Sequence, residues 1–403
     1  MAVKRFALGC VVMVVSMSFL LASCGPGGDP VETGHWYFDG GLPPNPNAPP
    51  VAPGDITGPR GWENRLGQWE LVWHDEFTGG TGDNFHNGLN LNNWNIDTGT
   101  GAQFGLAGWG NQELQYYSQS ADNLRVENGM LILEARNDGR TGTWWQHGGG
   151  GSMVQSHRPF TSAKVTSGGT RSSNTYCTLP DCVGRHDCTG CTLPERFSIS
   201  EGFIEARIRA PRGVGFWPAF WTLGTNSNRY GTGGPGAHVG WPSSGEIDIM
   251  EMQGGREYRH ISTIHHGTRY PDRRWFPGRA IDVRTLNLPS GVDMASHFHV
   301  YGVRWDANTM HFYFNGYNWF TIDLRLLQGG EFANAEAFTH HLGQFINLNL
   351  AIGGNFIAGV APEASLFAAD APFENRSLMV DWVRVYRKIG GDSVVRVNGE
   401  IVP

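Results

Sequence analysis

The chain has 403 residues, including 57 glycines, and is 40 % hydrophobic, 12 % aromatic and only 17 % charged. A disordered chain or a coiled coil would be charge-rich and aromatic-poor, so both are excluded, and the apolar content is enough for a large core. A formal net charge of -7 argues against a nucleic-acid partner, because binding phosphates takes a surplus of Lys and Arg; a neutral ligand stacking on aromatic rings fits better.

Lys4 and Arg5 open the chain, Phe6 to Ala22 are almost wholly apolar, and Leu21-Ala22-Ser23-Cys24 follows. This resembles the lipobox of bacterial lipoproteins. The resemblance implies that residues 1–23 are a signal peptide and that Cys24 is lipidated on its sulfur, becoming the first residue of the mature protein. An uncleaved membrane helix is the other reading of the run, which is at the short limit for spanning. Loss of Lys4 and Arg5 leaves 28 basic against 37 acidic residues. The expected product is acidic, exported and lipid-anchored at the cell envelope. Gly25 after Cys24, where aspartate would suggest inner-membrane retention, points to the outer membrane or cell surface.

Residues 24–60 are rich in Gly, Pro, Asp and Asn, including Pro43-Pro44-Asn45-Pro46-Asn47-Ala48-Pro49-Pro50, and read as a semi-extended tether. Trp36, Tyr37 and Phe38 leave docking onto the following domain open. Residues 61–388 form that domain. They contain short aromatic or β-branched runs punctuated by Gly, Asn and Asp: Trp69 to Trp73, Leu131 to Ala135, Gly202 to Ile208, His299 to Trp305, His311 to Phe314, Phe345 to Ile352 and Met379 to Tyr386. Phe203-Ile204-Glu205-Ala206-Arg207-Ile208-Arg209 alternates with period two, as a half-buried strand requires. Long helical periodicity is nearly absent, with one short helix expected near Asn334 to His340. The pattern predicts an all-β, antiparallel sandwich. In the tail, residues 389–403, Asn398-Gly399 is a hairpin signal, leaving an edge ribbon or disorder as alternatives.

Cys177, Cys182, Cys188 and Cys191 are spaced C-x4-C-x5-C-x2-C. Export, the even count and the Gly, Pro and Thr around them favour two disulfides stapling a surface loop, with zinc as the alternative; four cysteines allow three pairings.

The chemistry is concentrated in Trp241-Pro242-Ser243-Ser244-Gly245-Glu246-Ile247-Asp248-Ile249-Met250-Glu251. On a regular strand Glu246 and Asp248 share a face and Glu251 points the other way. One extra residue in a β-bulge near Ile249-Met250 would return Glu251 to that face. Neighbouring carboxyls split their pKa values, so one can attack while another donates a proton, which is the equipment for glycoside hydrolysis. A calcium site or a protected acidic edge is the structural alternative.

Gly-Glu-Ile-Asp-Ile-Met-Glu resembles the bulged signature of the glycoside hydrolase family 16 laminarinases, the endo-β-1,3-glucanases. Further segments match in the family's order, from Trp109-Gly110-Asn111-Gln112-Glu113 through Trp217-Pro218-Ala219-Phe220-Trp221 and Thr263-Ile264-His265-His266-Gly267 to Val380-Asp381-Trp382. The resemblance implies a β-jelly roll of two curved antiparallel sheets, the concanavalin A-like fold, with a cleft on the concave face. It makes Glu246 the nucleophile, Glu251 the general acid/base and Asp248 the partner that tunes them. It also places Trp217, Trp221 and Trp109 as sugar platforms, Asn111 and Glu113 as polar glycan contacts and His265 at the cleft, while His266 reads as structural. Catalysis then needs no cofactor, and no H-E-x-x-H zinc spacing occurs among the 15 histidines. A structural calcium on the convex side is implied, with Asp381 at the side-chain ligand position. Two departures stand out: an expected insertion at about 138–194 carrying the four cysteines, and Asn355-Phe356-Ile357-Ala358-Gly359 in place of the family's usual tryptophan after Gly-Gly-Asn.

The expected activity is retaining, endo-acting cleavage of β-1,3-glucan by a monomer. Mixed-linkage β-glucan, a marine galactan such as agarose or carrageenan, and non-catalytic glycan binding are the alternatives.

Overall fold

The computed structural model describes residues 42–43, 68–101, 106–145, 153–171, 192–225, 241–242, 244–269, 272–286, 288–327, 338 and 343–403. The expectations for the leader, for Cys24 and for Cys177, Cys182, Cys188 and Cys191 lie outside these residues. So does most of the tether and of the helix expected at Asn334 to His340, of which only Phe338 is described, helical and buried.

The alternating runs pair into two large antiparallel sheets of eight and ten strands. The first sheet runs Tyr317–Asp323, Thr309–Phe314, His299–Trp305, Gly202–Arg209, Ser377–Lys388, Met130–Glu134, Leu124–Glu127, with Trp69–Asp75 also paired to Ser377–Lys388. The second sheet carries the acidic strand. We label seven of its strands: β1 (Asn95–Asp97), β2 (Lys164–Thr166), β3 (Phe216–Gly224), β4 (Glu246–Glu251), β5 (Arg259–Arg269), β6 (Asp272–Asp282) and β7 (Gln344–Ile352). Across this sheet the order is β1, β2, β7, β3, β4, β5, β6.

Period two explains how one strand serves two surfaces. Ile346, Leu348, Leu350 and Ile352 of β7, Phe216 and Phe220 of β3 and Ile247 of β4 enter the core, against Ile204, Ala206, Ile208, Val383 and Val385 of the other sheet. The residues between them, Asn347 and Asn349 on β7 and Trp217 and Trp221 on β3, form the opposite face.

The stretch at about 138–194 is not a single insertion. Phe160–Ser162 pairs in parallel with Gln115–Tyr117, and β2 is an interior strand between β1 and β7. The alternation in Phe160-Thr161-Ser162-Ala163-Lys164-Val165-Thr166 is the strand signal that the surrounding Gly and Cys obscured. The stretch also holds the antiparallel hairpin Arg140–Trp145 with Met153–Arg158. The tail forms a ribbon, Val395–Val397 with Glu400–Val402, turning at Asn398 and Gly399 with φ of 51° and 81°; it extends the second sheet through Phe197–Ile199.

Candidate active site

The register of β4 solves the problem posed by its acids. Paired residues on antiparallel neighbours project to the same face. Glu246 pairs with Leu223, Asp248 with Trp221 and Glu251 with Ala219, all on one face of β3. Between Asp248 and Glu251 stand Ile249 and Met250, whereas only Ser262 separates their partners Thr263 and Ile261 on β5. This is the bulge. Ile249 and Met250 are both buried in the core, which returns Glu251 to the outer face. Ser262 Oγ donates to the Ile249 carbonyl at 2.8 Å, so the displaced oxygen keeps a partner.

Each outer acid is held by an indole. Trp241 Nε1 donates to Glu246 Oε2 at 2.9 Å, and Trp217 Nε1 donates to Glu251 Oε1 at 2.9 Å. His265 Nε2 stands 3.3 Å from Asp248 Oδ2 and 3.5 Å from Glu246 Oε1. Burial pushes Glu246 up to about 7, helped by the Asp248 charge and opposed by His265 and the Trp241 N–H. Burial, then the Asp248 charge, pushes Glu251 well above the usual carboxylate range. Burial alone would lower His265, but the negative charges, Glu246 first, hold it up at about 9. Between the two carboxyl titrations Glu246 is an anion while Glu251 keeps its proton, the division of labour that nucleophile and acid require.

Glu246, Asp248 and His265 each offer a ligand atom, all within 4.8 Å of one another, and are the one such group among the described residues. The imidazole, as a cation between two carboxylates, supplies the positive charge a metal would bring.

Other expected residues fall in different places. Trp221 is half-buried and donates to Asn349 Oδ1 at 2.7 Å; Lys164 Nζ lies over its ring at 4.9 Å. Trp109 departs from its expected role as an open platform. It is buried, donates to the Gly99 carbonyl at 3.2 Å and packs against Tyr117 and under Lys164. A left-handed backbone at Gly108 and Trp109 turns the indole inward. Glu113 is buried as well, accepting from Gln115, Tyr117 and Asn111. Burial pushes it up to about 7, opposed by the Gln115 hydrogen bond and by Lys164. Tyr117 in turn accepts from Asn349 Nδ2 at 3.1 Å, so Glu113 is linked to Trp221 through two side chains. His266 is buried beside Phe338.

Asp381 does not fit a calcium ligand. Arg207 Nη1 donates to its Oδ2 at 2.6 Å and Arg207 Nη2 donates to the Leu42 carbonyl at 2.7 Å, so a guanidinium stands where the ion was expected. A divalent cation there would meet a fixed positive charge.

Sequence reasoning missed Trp241 and Lys164. Trp241 stands five residues before Glu246, a spacing that does not reveal contact until the loop folds back. Lys164 is buried on the cleft face, 3.5 Å from Asp97, and its charge also lowers Glu246. The signal for it was the alternation in β2.

Comparison with known proteins agrees with this geometry. A family described as Glycosyl hydrolases family 16 matches residues 113–338. The glucan endo-1,3-beta-glucosidase of Cryptopygus antarcticus is 32 % identical over 297 residues, covering 73 % of this chain and 84 % of its own. The glucan endo-1,3-beta-glucosidase A1 of Niallia circulans is 29 % identical over 354 residues, 85 % of this chain but 42 % of its own, so the chain spans less than half of that relative. Among solved structures, the laminarinase catalytic domain of Thermotoga maritima MSB8 superposes with a TM-score of 0.54 at 29 % identity, covering 79 % of this chain and 98 % of that one.

Proposed function

Because the chain belongs to glycosyl hydrolases family 16, we propose that it is an endo-acting glycoside hydrolase that cuts β-1,3-glucan with retention of configuration. The observation that carries the reading is the bulge at Ile249 and Met250, which puts Glu246, Asp248 and Glu251 on one face with an indole donor on each outer acid. Glu246 attacks the anomeric carbon while Glu251 gives its proton to the leaving oxygen. Glu251, now a base, takes a proton from the water that releases the glycosyl-enzyme. His265 and the Trp241 N–H hold the Glu246 charge, and no cofactor enters. Relatives named as 1,3-glucanases support the substrate class.

Reducing-sugar release from laminarin, lichenan, agarose and carrageenan tests this, with the product anomer followed by NMR. Laminarin is expected to be cut best and to give the β-anomer first. Glu246→Gln is expected to lower the rate by ~10³-fold or more while the circular dichroism stays unchanged. Full activity in that variant, or an α-anomer, would sink the assignment.

The sequence of the leader supports a further part of the reading: export, and anchoring by lipid on Cys24. Palmitate labelling of cells should mark the protein, and labelling that persists in Cys24→Ser would refute the anchor.

A further inference from the structure

Trp217 is covered on one side. Phe356 stacks on it with ring centroids 4.9 Å apart and an interplanar angle of 29°. Phe356 lies outside the strands of the sheet, in the single turn Asn355–Ile357 that follows β7, the segment expected to depart from the family's sequence. That turn is fixed by its backbone. Gln253 Nε2 donates to the Phe356 carbonyl at 2.7 Å, and the Asn355 amide donates to the Asn111 carbonyl at 2.8 Å. Gln253 is itself gripped through Oε1 by Arg259 Nη1 at 2.8 Å and Arg256 Nη1 at 3.2 Å. Gly354 has φ 87°, and a Cβ there would stand 3.2 Å from the Trp217 ring, so the chain closes on the indole with no room to spare.

These contacts form a closed circuit. Gln253 lies two residues beyond Glu251; it holds Phe356, Phe356 lies flat on Trp217, and Trp217 Nε1 donates to Glu251. We infer that Phe356 is a positioning residue for the acid/base carboxyl, its ring fixing the plane of Trp217 so that the indole N–H is aimed at Glu251. The inference rests on reading Glu251 as the proton donor. Phe356 touches no reacting group; it acts through the indole it covers. A ring that served as a sugar platform would act on substrate affinity, whereas a positioning ring acts on turnover.

The groups facing Glu251 are Asp248 and Glu246 on its own strand and His265 on β5, with Trp217 as its hydrogen-bond donor from β3. The indole bond favours the anion, so a mis-aimed indole leaves Glu251 protonated to higher pH. The alkaline limb of turnover should then move upward.

The test uses the full chain and Phe356→Ala, Phe356→Leu and Phe356→Trp, with ¹⁵N-labelled indoles and the Trp217 signal assigned by its loss in Trp217→Phe. Phe356→Ala and Phe356→Leu are expected to cut kcat on laminarin about tenfold with KM within about twofold, and to move the alkaline limb up. Their Trp217 N–H should shift upfield and exchange with solvent about tenfold faster, while Phe356→Trp restores both properties. A loss confined to KM, an unchanged alkaline limb, or a Trp217 signal identical to wild type in Phe356→Ala would overturn the inference. Wild-type inactivity on every β-glucan would instead defeat the proposed function, and the indole signal would still decide whether Phe356 aims Trp217.

Discussion

His265 is the residue whose charge matters most to the nucleophile, because it stands within 3.5 Å of both Glu246 and Asp248 and is protonated over the neutral range. Its cation lowers the Glu246 pKa against burial and the Asp248 charge. His265→Gln keeps a polar side chain of similar reach and removes that cation. The acid limb of kcat/KM, which reports the free enzyme, should therefore move to higher pH, with kcat at neutral pH falling about tenfold. A profile that superposes on wild type would show that His265 only fills space. Trp241 works in the same direction by hydrogen bonding.

At the scale of the strand, the bulge decides whether Glu251 is a catalyst or a buried liability. On a regular strand of unchanged sequence Glu251 would point into the core, among Phe220 and Leu348; deleting Ile249 instead leaves Asp248, Met250 and Glu251 in regular alternation, so Glu251 stays on the outer face without a bulge. We expect hydrolysis to survive at a reduced rate, with the urea midpoint falling by an amount equivalent to about 1–3 kcal/mol for the lost core side chain; complete loss of activity in a folded variant would contradict the register. The bulge was legible in the sequence because the acid spacing violates period two and the two residues between Asp248 and Glu251 are both apolar. Strands such as Gly202–Arg209 and β7 were legible for the complementary reason, an unbroken alternation. β2 was not, since its three residues alternate too briefly to stand out from the Gly- and Ser-rich stretches around them. The burial of Trp109 was also hidden, because it depends on a left-handed turn that a tryptophan rarely adopts. The guanidinium partner of Asp381 lies 174 residues away in the chain and becomes adjacent only when Gly202–Arg209 pairs with Ser377–Lys388.

For the whole molecule, two buried histidines link acidity to stability. His260 is enclosed by Tyr301, Phe314 and Trp319, and His299 stacks on Phe314 at 4.9 Å and bonds Asn315. Burial pushes them down to about 3 and about 4. Both stay neutral when folded but take up a proton near 6.5 when unfolded, so the stability they permit is complete above that value and is lost as pH falls toward 4. Glu246 and Glu113, raised to about 7, act oppositely in the same window, gaining stability as pH falls. A difference measurement separates the two. Between pH 6.5 and pH 5 the wild type should lose about 2 kcal/mol relative to His260→Phe, read from urea unfolding. A constant difference would mean that His260 is not neutral in the fold.

The Arg207 and Asp381 pair has a practical side. The counter-charge of this carboxylate is part of the covalent chain and cannot diffuse away as a bound ion can. Citrate, phosphate or EDTA in an extraction medium has nothing to strip from this position. Because both side chains are largely buried, added salt screens this pair little.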